Sequence, residues 1–170
     1  MMASAFSSRI QNRSAPSANA PHALVVFHLD QRRFALRLSA VERVLPMIEI
    51  VPLPQGPTIV RGVINVEGRI IPVVDIRTRF LLPPRAIALS DHILIAHTQR
   101  RSVALVVDTV VGVTETHEIV AAGRISENAA YIEGVTTLNG DLVVIHDLDT
   151  FLSAAESAAL EAALEANTAR

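Results

Sequence analysis

Residues 62–76 read GVINVEGRIIPVVDI, and residues 134–148 repeat the same pattern as GVTTLNGDLVVIHDL. In both copies an apolar run is followed by a turn, a second apolar run and an aspartate. The turns are Glu67-Gly68 and Asn139-Gly140. Because Asn and Gly tolerate the positive φ angles of a two-residue hairpin loop, the second turn is the stronger signal. Each copy therefore predicts a β-hairpin of the same design.

A second, earlier match extends the repeat to most of the chain. The Gln-Arg-Arg sequence at 31–33 recurs at 99–101, and a pair of valines at 41 and 44 recurs at 110 and 113. Both matches run in the same order, with turns aligned on turns. The chain is therefore predicted to be duplicated, with two similar β lobes at about residues 23–80 and 91–152.

The composition of the chain favours strands. Half of the residues are hydrophobic but only 4% are aromatic, so the core must consist of Val, Ile, Leu and Ala. β-Branched residues suit the pleated surface of a sheet. Eight short apolar segments have the length of strands. They are residues 23–29, 34–38, 59–66, 69–75, 92–97, 103–107, 131–138 and 141–146.

Helices are predicted at three places. Residues 75–82 can form a turn or two before Pro83-Pro84 stops them, and residues 147–152 are their counterpart in the second copy. Residues 153–166 consist mainly of Ala, Leu and Glu, which are strong helix formers. Ser153 and Glu156 have the spacing of a capping box. We expect Leu160 and Leu164 to pack this helix on the β lobes.

Length, charge and cysteine content exclude several classes of protein. The 170 residues carry a formal net charge of -2 and no cysteine. A nucleic-acid partner is not expected, because phosphate binding needs a basic face. Residues 1–22 lack the apolar core of a secretory signal and are interpreted as a disordered tail. No run approaches the roughly 20 apolar residues that span a bilayer. We expect a cytoplasmic protein without direct membrane insertion.

The sequence offers no recognisable catalytic centre. Its six histidines lack the close spacing of metal ligands, and no serine occupies a G-x-S-x-G motif. His146 is interpreted as a hydrogen-bonded structural residue at a strand end. Asp75 and Asp147 each close a strand, where a carboxylate caps the following helical turn. We therefore expect no catalytic residue, no metal site and no cofactor.

Residues 62–77, GVINVEGRIIPVVDIR, resemble the central motif of the CheW-like chemotaxis adaptor family, usually G-V-x-N-L-R-G-x-I-x-P-V-x-D-L-R. Further similarity lies in residues 25–36, 41–44, 104–110 and 132–135, so that the resemblance covers about residues 22–152. It implies a mainly β fold with two intertwined five-stranded SH3-like β-barrel lobes. Short helices and a C-terminal helix and tail at 153–170 complete the expected chain.

The resemblance also implies partners. Members of the family bridge the cytoplasmic tips of chemoreceptors to the regulatory domain of a CheA-type histidine kinase. A stand-alone adaptor located at receptor arrays is therefore expected. By position in the motifs, four residues fall where the family receives the receptor helix: Val41, Gly62, His92 and Val113. The alternative is that the two valines belong to the core and that Gly62 serves only the backbone.

The chain departs from the family at two charged positions. Glu67 replaces the arginine of the Asn-Leu-Arg-Gly turn, and Arg43 stands where the family usually has an acid. Together with Arg69, these residues are the candidates for kinase coupling and specificity. One interpretation is that Arg43 and Glu67 keep an ion pair with its polarity reversed. The exchange either selects a dedicated partner, or it is neutral because Glu42 or Arg69 restores the local charge. A paralogue that modulates or inhibits array signalling, and a ligand-binding β-barrel or enzyme, remain as alternatives.

Overall fold

The computed structural model describes residues 20–125 and 130–168, and these residues are mainly β. Residues 1–19 of the predicted N-terminal tail and the final two residues of the C-terminal tail lie outside the described part, and His22 already belongs to the first strand. The described strands are β1 His22–Leu29, β2 Arg32–Arg37, β3 Val41–Pro46, β4 Val60–Val66, β5 Arg69–Val74, β6 His92–His97, β7 Ser102–Val107, β8 Thr109–Thr116, β9 Val120–Ala121, β10 Ile132–Leu138 and β11 Asp141–His146. The helices are α1 Ile76–Arg79 and α2 Ala154–Thr168. Short 3₁₀ turns occupy residues 38–40, 122–124 and 148–150.

The strands form two sheets, as predicted for a two-lobed β fold. Lobe A is six-stranded, in the order β8-β1-β2-β11-β10-β9, and lobe B is five-stranded, in the order β3-β6-β7-β5-β4. Lobe B therefore consists of residues 41–107, whereas lobe A combines residues 22–37 with 109–146. This corrects the expected division at 23–80 and 91–152. The first two strands of each repeat pair with the later strands of the other repeat, which intertwines the lobes.

The strand register confirms the duplication. Val144 and Ile145 pair in parallel with Phe34 and Ala35 in lobe A, and Val73 and Val74 pair in parallel with Ala104 and Leu105 at the equivalent place in lobe B. The hairpins are offset by 72 residues and the preceding strands by 69, since His28 pairs with Arg33 as His97 pairs with Ser102. Arg32 is therefore the counterpart of Arg101. The Gln-Arg-Arg match predicts an offset of 68 residues for these strands, one residue less than the observed 69.

Each lobe has its own apolar interior, and a third cluster joins the two. Lobe B encloses residues such as Ile64, Val73 and Ile93, and lobe A encloses Leu24 and Ile145; all five are fully buried. The other face of both sheets contributes to the central cluster between the lobes. Because successive side chains of a strand point to opposite faces of the sheet, one side chain is buried inside its own lobe and the next against the neighbouring lobe.

The helix caps follow the sequence prediction. Asp75 accepts a hydrogen bond from the Thr78 amide at the start of α1, and Asp147 caps the 148–150 turn in the same way. At the start of α2, the Ser153 amide donates to Glu156 at 2.9 Å and the Glu156 amide donates to the Ser153 hydroxyl at 3.1 Å. This is the predicted capping box. Leu160 is fully buried, and Leu164 packs against the central cluster.

A buried arginine fixes the point where the chain crosses between the lobes. The side chain of Arg77 is 8% exposed and donates at 2.9 Å to both Asp30 and Asp108. Asp108 lies between β7 of lobe B and β8 of lobe A, and Arg85 also donates to it, at 2.6 Å. Burial acts to raise the pKa of Asp108, but the Asp30 amide and the two guanidinium groups outweigh it and lower the pKa. The carboxylate is thus held ionised at the junction.

Candidate protein-interaction site

A cluster of alternating charges lies on lobe B, where β3 approaches the turn between β4 and β5. The Arg43 guanidinium lies 3.6 Å from the Glu67 carboxylate, and the two side chains are 48% and 79% exposed. The turn that carries Glu67 is held by Asn65, whose side-chain oxygen accepts the Gly68 amide at 2.9 Å. The two exchanged residues of the family motif therefore form an ion pair of reversed polarity.

A second pair continues the cluster. Arg69 donates to Glu42 at 3.2 Å and to the Ser102 hydroxyl at 2.9 Å, and that hydroxyl donates to Glu42 in turn. The Ser102 hydrogen bond lowers the pKa of Glu42; partial burial opposes this effect, and Arg69 reinforces it. His97 lies 4.0 Å from the same carboxylate. Glu42 is therefore an ionised carboxylate at the centre of the cluster.

The structure thus brings together Arg43, Glu67 and Arg69, the residues expected to govern kinase coupling. It adds Glu42 and Ser102, which were not among the candidate site residues. The repeat could have indicated Ser102, since it is the counterpart of Arg33, which forms an ion pair with Asp141 at 3.1 Å in lobe A. We call these five lobe B residues, 42, 43, 67, 69 and 102, the charge cluster.

Across residues 20–125 and 130–168, lobe A has no equivalent of the charge cluster. The alignment of the two valine pairs places Gly112 opposite Arg43 and Val111 opposite Glu42. At the hairpin, Asn139 is the counterpart of Glu67. In the described part of the chain, the ion pair at this place in lobe A is Arg33–Asp141. The two lobes have therefore diverged at corresponding surfaces.

The four residues expected in the receptor-helix groove lie on four strands and in both lobes. Val41 is half-buried against the central cluster, and Val113, at the edge of lobe A, is 59% exposed. Along β3, Val41 pairs with Ala96 and Pro46 pairs with His92, which separates the two candidates by about 16 Å. Val41 and His92 thus flank the β3–β6 pair at opposite ends.

Gly62 is needed by the backbone of its own lobe. A Cβ atom at this position would lie 2.3 Å from the Val51 carbonyl oxygen and 2.9 Å from the side chain of Ile50. Val51 and Val63 exchange two backbone hydrogen bonds at this point, at 2.9 and 2.8 Å. In lobe A, the Val120 carbonyl oxygen approaches Gly134 equally closely, since a Cβ atom there would lie 2.6 Å from it. Because Gly62 has no side chain, the 50–51 segment of the same chain can lie directly against its backbone.

His146 has structural surroundings at the end of β11. The Nδ1 atom of His146 lies 3.1 Å from the Tyr131 carbonyl, and its ring stacks on Phe80 with a centroid separation of 3.8 Å. Burial lowers the pKa of His146 to about 4. Across residues 20–125 and 130–168, no three His, Asp or Glu side chains gather into a group that could hold a metal ion. No helix in this part of the chain has the length and apolar character to cross a membrane.

Comparison with known proteins identifies relatives of the whole two-lobed unit. The family model described as CheW-like domain matches residues 23–156. The Chemotaxis protein CheW of Thermotoga maritima is 29% identical over 141 residues, which cover 74% of this chain and 84% of that protein. The protein of the same name from Rhizobium meliloti is 25% identical over 142 residues, covering 81% and 92%. The crystal structure of the scaffolding protein TtCheW from Thermoanaerobacter tengcongensis superposes with a TM-score of 0.73 at 26% identity, covering 81% of this chain and 96% of that one.

Proposed function

Because the chain belongs to the CheW-like domain family, we propose that it is a non-catalytic adaptor that couples chemoreceptors to a CheA-type histidine kinase. The observation that carries this proposal is the family match over residues 23–156, which spans both lobes. The apolar interiors of the lobes are filled by fully buried side chains such as Ile64 and Ile145. Function therefore belongs to the outer surfaces, as an adaptor at cytoplasmic receptor arrays requires.

We assign contact with the kinase regulatory domain to the charge cluster on lobe B. Charged groups at the rim of an interface steer association and discriminate between partners more than they add affinity. Receptor contact is assigned to the edge strands β3 and β8, which carry the half-buried Val41 and the exposed Val113 and which we call the β3–β8 flank. His92 is at the far end of the β3–β6 pair. In this assignment Gly62 supports the site through the backbone, without touching the receptor.

The reversed Arg43–Glu67 pair supports a dedicated partner. An exposed ion pair of this kind contributes only about 0.2–1 kcal/mol to stability. Like charges brought together across an interface can cost several kcal/mol, which is enough to reject a partner. A kinase built for the usual polarity would place its charges against like charges here. We therefore propose that this adaptor serves a kinase with compensating charges.

The test exchanges the two charges back. Binding of the Arg43→Glu, Glu67→Arg double variant is measured against its own kinase regulatory domain and that of a standard chemotaxis system. The expected result is weaker binding to its own kinase and tighter binding to the other. The matched control exchanges Arg37 and Glu133, a half-buried ion pair of lobe A that lies outside the charge cluster. Identical affinities for both kinases before and after the exchange refute partner selection.

A kinase-activation assay then separates an activating adaptor from an inhibitory one. The chain is added to receptor-containing membranes and kinase, and the rate of autophosphorylation is followed. Glu67, an acid where the family usually has an arginine, is the feature that favours an inhibitory paralogue. Stimulation supports the activating adaptor, and suppression below the kinase-only rate supports the inhibitory paralogue. Failure to bind either partner refutes the proposed function.

A further inference from the structure

Helix α2 covers one face of lobe B. The side chains on its inner side, Leu160 and Ala163, are buried. Polar contacts hold its middle and its C-terminal end: Arg101 pairs with Glu161 at 3.1 Å, and the Asn167 amide donates to the Pro54 carbonyl at 3.3 Å. The space beneath its first turns is lined by Val74 and Val103 of the sheet and by the 98–101 turn. The covered face is thus formed by the parallel β5–β7 pair and the turn beside it.

The corresponding face of lobe A has no such helix over it within the described residues, and its rim is exposed, although Phe34 and His146 at its floor are buried. Through the repeat, Val103 corresponds to Phe34, Val74 to His146, and Arg101 to Arg32. Two adjoining hollows of about 310 and 320 Å³ lie on this face and share Phe34 and Val144. We call this surface the lobe A groove. Its apolar lining residues are Phe34, Phe80, Leu81, Tyr131, Ile132, Leu142 and Val144.

Burial at equivalent positions shows the difference between the faces. On lobe B, Ile59 and Val60 are buried, with 5% and 9% of their surface exposed. Their counterparts on lobe A, Tyr131 and Ile132, are only half-buried. At the two ends of the groove, Leu142 is 63% exposed and Leu81 is 93% exposed. No helix of the described residues covers the groove. The sequence explains why: where the second copy begins α2, the first copy has Pro83-Pro84, which cannot continue a helix.

The charges beside the groove also repeat those beneath α2. Arg101 binds Glu161 of α2, and its counterpart Arg32 is exposed at the same corner of lobe A. Within the described part of the chain, Arg32 forms no ion pair. The two other arginines at the groove, Arg33 and Arg79, are held by Asp141 and Glu156. A helix placed as α2 is placed on lobe B would bring a carboxylate within reach of Arg32.

We propose that the lobe A groove receives an amphipathic helix of a partner protein, seated on lobe A as α2 is seated on lobe B. The helix presents aliphatic side chains at i, i+3 and i+4 spacing to the groove and a carboxylate to Arg32. This site is distinct from the charge cluster and from the β3–β8 flank. The choice of probes below rests on the proposed function, because it takes the receptor and the kinase as the candidate donors of the helix.

Leu81 gives an independent reason to expect contact here. The Leu82 amide donates to the Arg77 carbonyl and the Leu81 amide to the Thr78 carbonyl, so the end of α1 forms a Schellman motif with Leu81 at the left-handed position, φ +57°. Glycine is the residue that suits this position. A leucine that is both strained and almost fully exposed does not help the isolated fold. Its side chain is explained by a partner that covers it.

The test measures binding of the full chain to the kinase regulatory domain and, separately, to a receptor cytoplasmic fragment. Leu142→Asp, Leu81→Gly and Arg32→Glu are compared with Leu89→Asp, since Leu89 is 95% exposed at the far end of the connector after α1. For the partner that supplies the helix, the groove variants are expected to weaken binding at least tenfold. Leu89→Asp stays within twofold of the unsubstituted chain. Leu81→Gly leaves the melting temperature unchanged or raises it, which separates lost contact from lost folding.

A cross-linking arm keeps the two proposals separable. Benzoylphenylalanine is placed at position 142 or, as control, at position 89 in cells, and the cross-linked peptide is sequenced. A partner segment with the stated helical pattern, captured at 142 and not at 89, supports the groove. The groove proposal is overturned if both partners bind its variants as tightly as the unsubstituted chain. A cross-link to a strand, to residues 1–19 of the same chain or to a second copy also overturns it, as does equal capture at 89. If neither partner binds even the unsubstituted chain, the proposed function fails and the cross-link alone decides the groove.

Discussion

Replacing Gly62 with alanine tests whether this residue serves the fold or touches the receptor. The new Cβ atom would lie 2.3 Å from the Val51 carbonyl oxygen, far inside a normal contact of about 3.5 Å. To relieve the clash, the 50–51 segment must retreat and lose the two Val51–Val63 hydrogen bonds, each contributing about 1 kcal/mol. The φ angle of +154° at Gly62 adds strain of about 1 kcal/mol for any other residue. We therefore expect a loss of about 3 kcal/mol.

The measurement is the free energy of unfolding in urea, paired with receptor-fragment binding. Gly123→Ala is the control, because a Cβ atom there meets no atom within 4 Å. Gly134→Ala should also destabilise the chain, since its Cβ atom would lie 2.6 Å from the Val120 carbonyl oxygen. If Gly62→Ala is as stable as Gly123→Ala but no longer binds receptor, then Gly62 is a contact residue and the backbone account is wrong.

Three further outcomes are expected. Because burial lowers the pKa of His146 to about 4 from 6.5, its neutral form favours folding fully above pH 6.5, and about 3 kcal/mol is lost as the pH falls from 6.5 to 4. Urea midpoints across this range measure the loss, and a His146→Phe variant without the corresponding pH slope checks its origin. Arg77→Met should lower the free energy of unfolding by about 3 kcal/mol, because two carboxylates at the junction lose their buried partner, whereas Arg33→Met at an exposed pair should cost under about 1 kcal/mol. In an Arg43→Ala background, which already lacks the Arg43–Glu67 ion pair, Glu67→Asn should raise the free energy of unfolding by about 0.5 kcal/mol, because asparagine suits the φ of +52° at this turn better than glutamate; an unchanged or lower urea midpoint contradicts that account.

Most of the secondary structure could be predicted from local signals in the sequence. The two hairpins, the aspartate caps and the capping box of α2 all depend on residues within a few positions of one another. Strands β3 and β8 were not among the predicted apolar segments. Both lie at the edge of a sheet, so that β3 carries charges at Glu42 and Arg43 and β8 alternates with Thr, Gly and Glu. Edge strands need only one apolar face, and their pattern is correspondingly weak.

The lobe boundaries and part of the site could not be read locally. Both copies of the repeat have the same strand order, so the sequence alone does not reveal that the first two strands of each copy pair with the other lobe. The Arg43–Glu67 contact was anticipated from the family motif. The contribution of Ser102 was not, because it begins a strand about 30 residues from Arg69 and meets it only through the parallel pairing of β5 and β7. The lobe A groove was missed because its residues belong to apolar runs that are typical of a core.

Duplication followed by divergence explains how one small chain can hold two different partners. The chain crosses between lobes at residues 38–40 and again at Asp108, and the lobes cannot move apart without breaking the Arg77 network and exposing the central apolar cluster. Two fixed lobes with identical surfaces would bind two copies of the same partner. Among the residues that the structure describes, the charge cluster lies on lobe B alone and the uncovered groove on lobe A alone. The two lobes therefore present different chemistry at a fixed separation, which is what a receptor–kinase bridge requires.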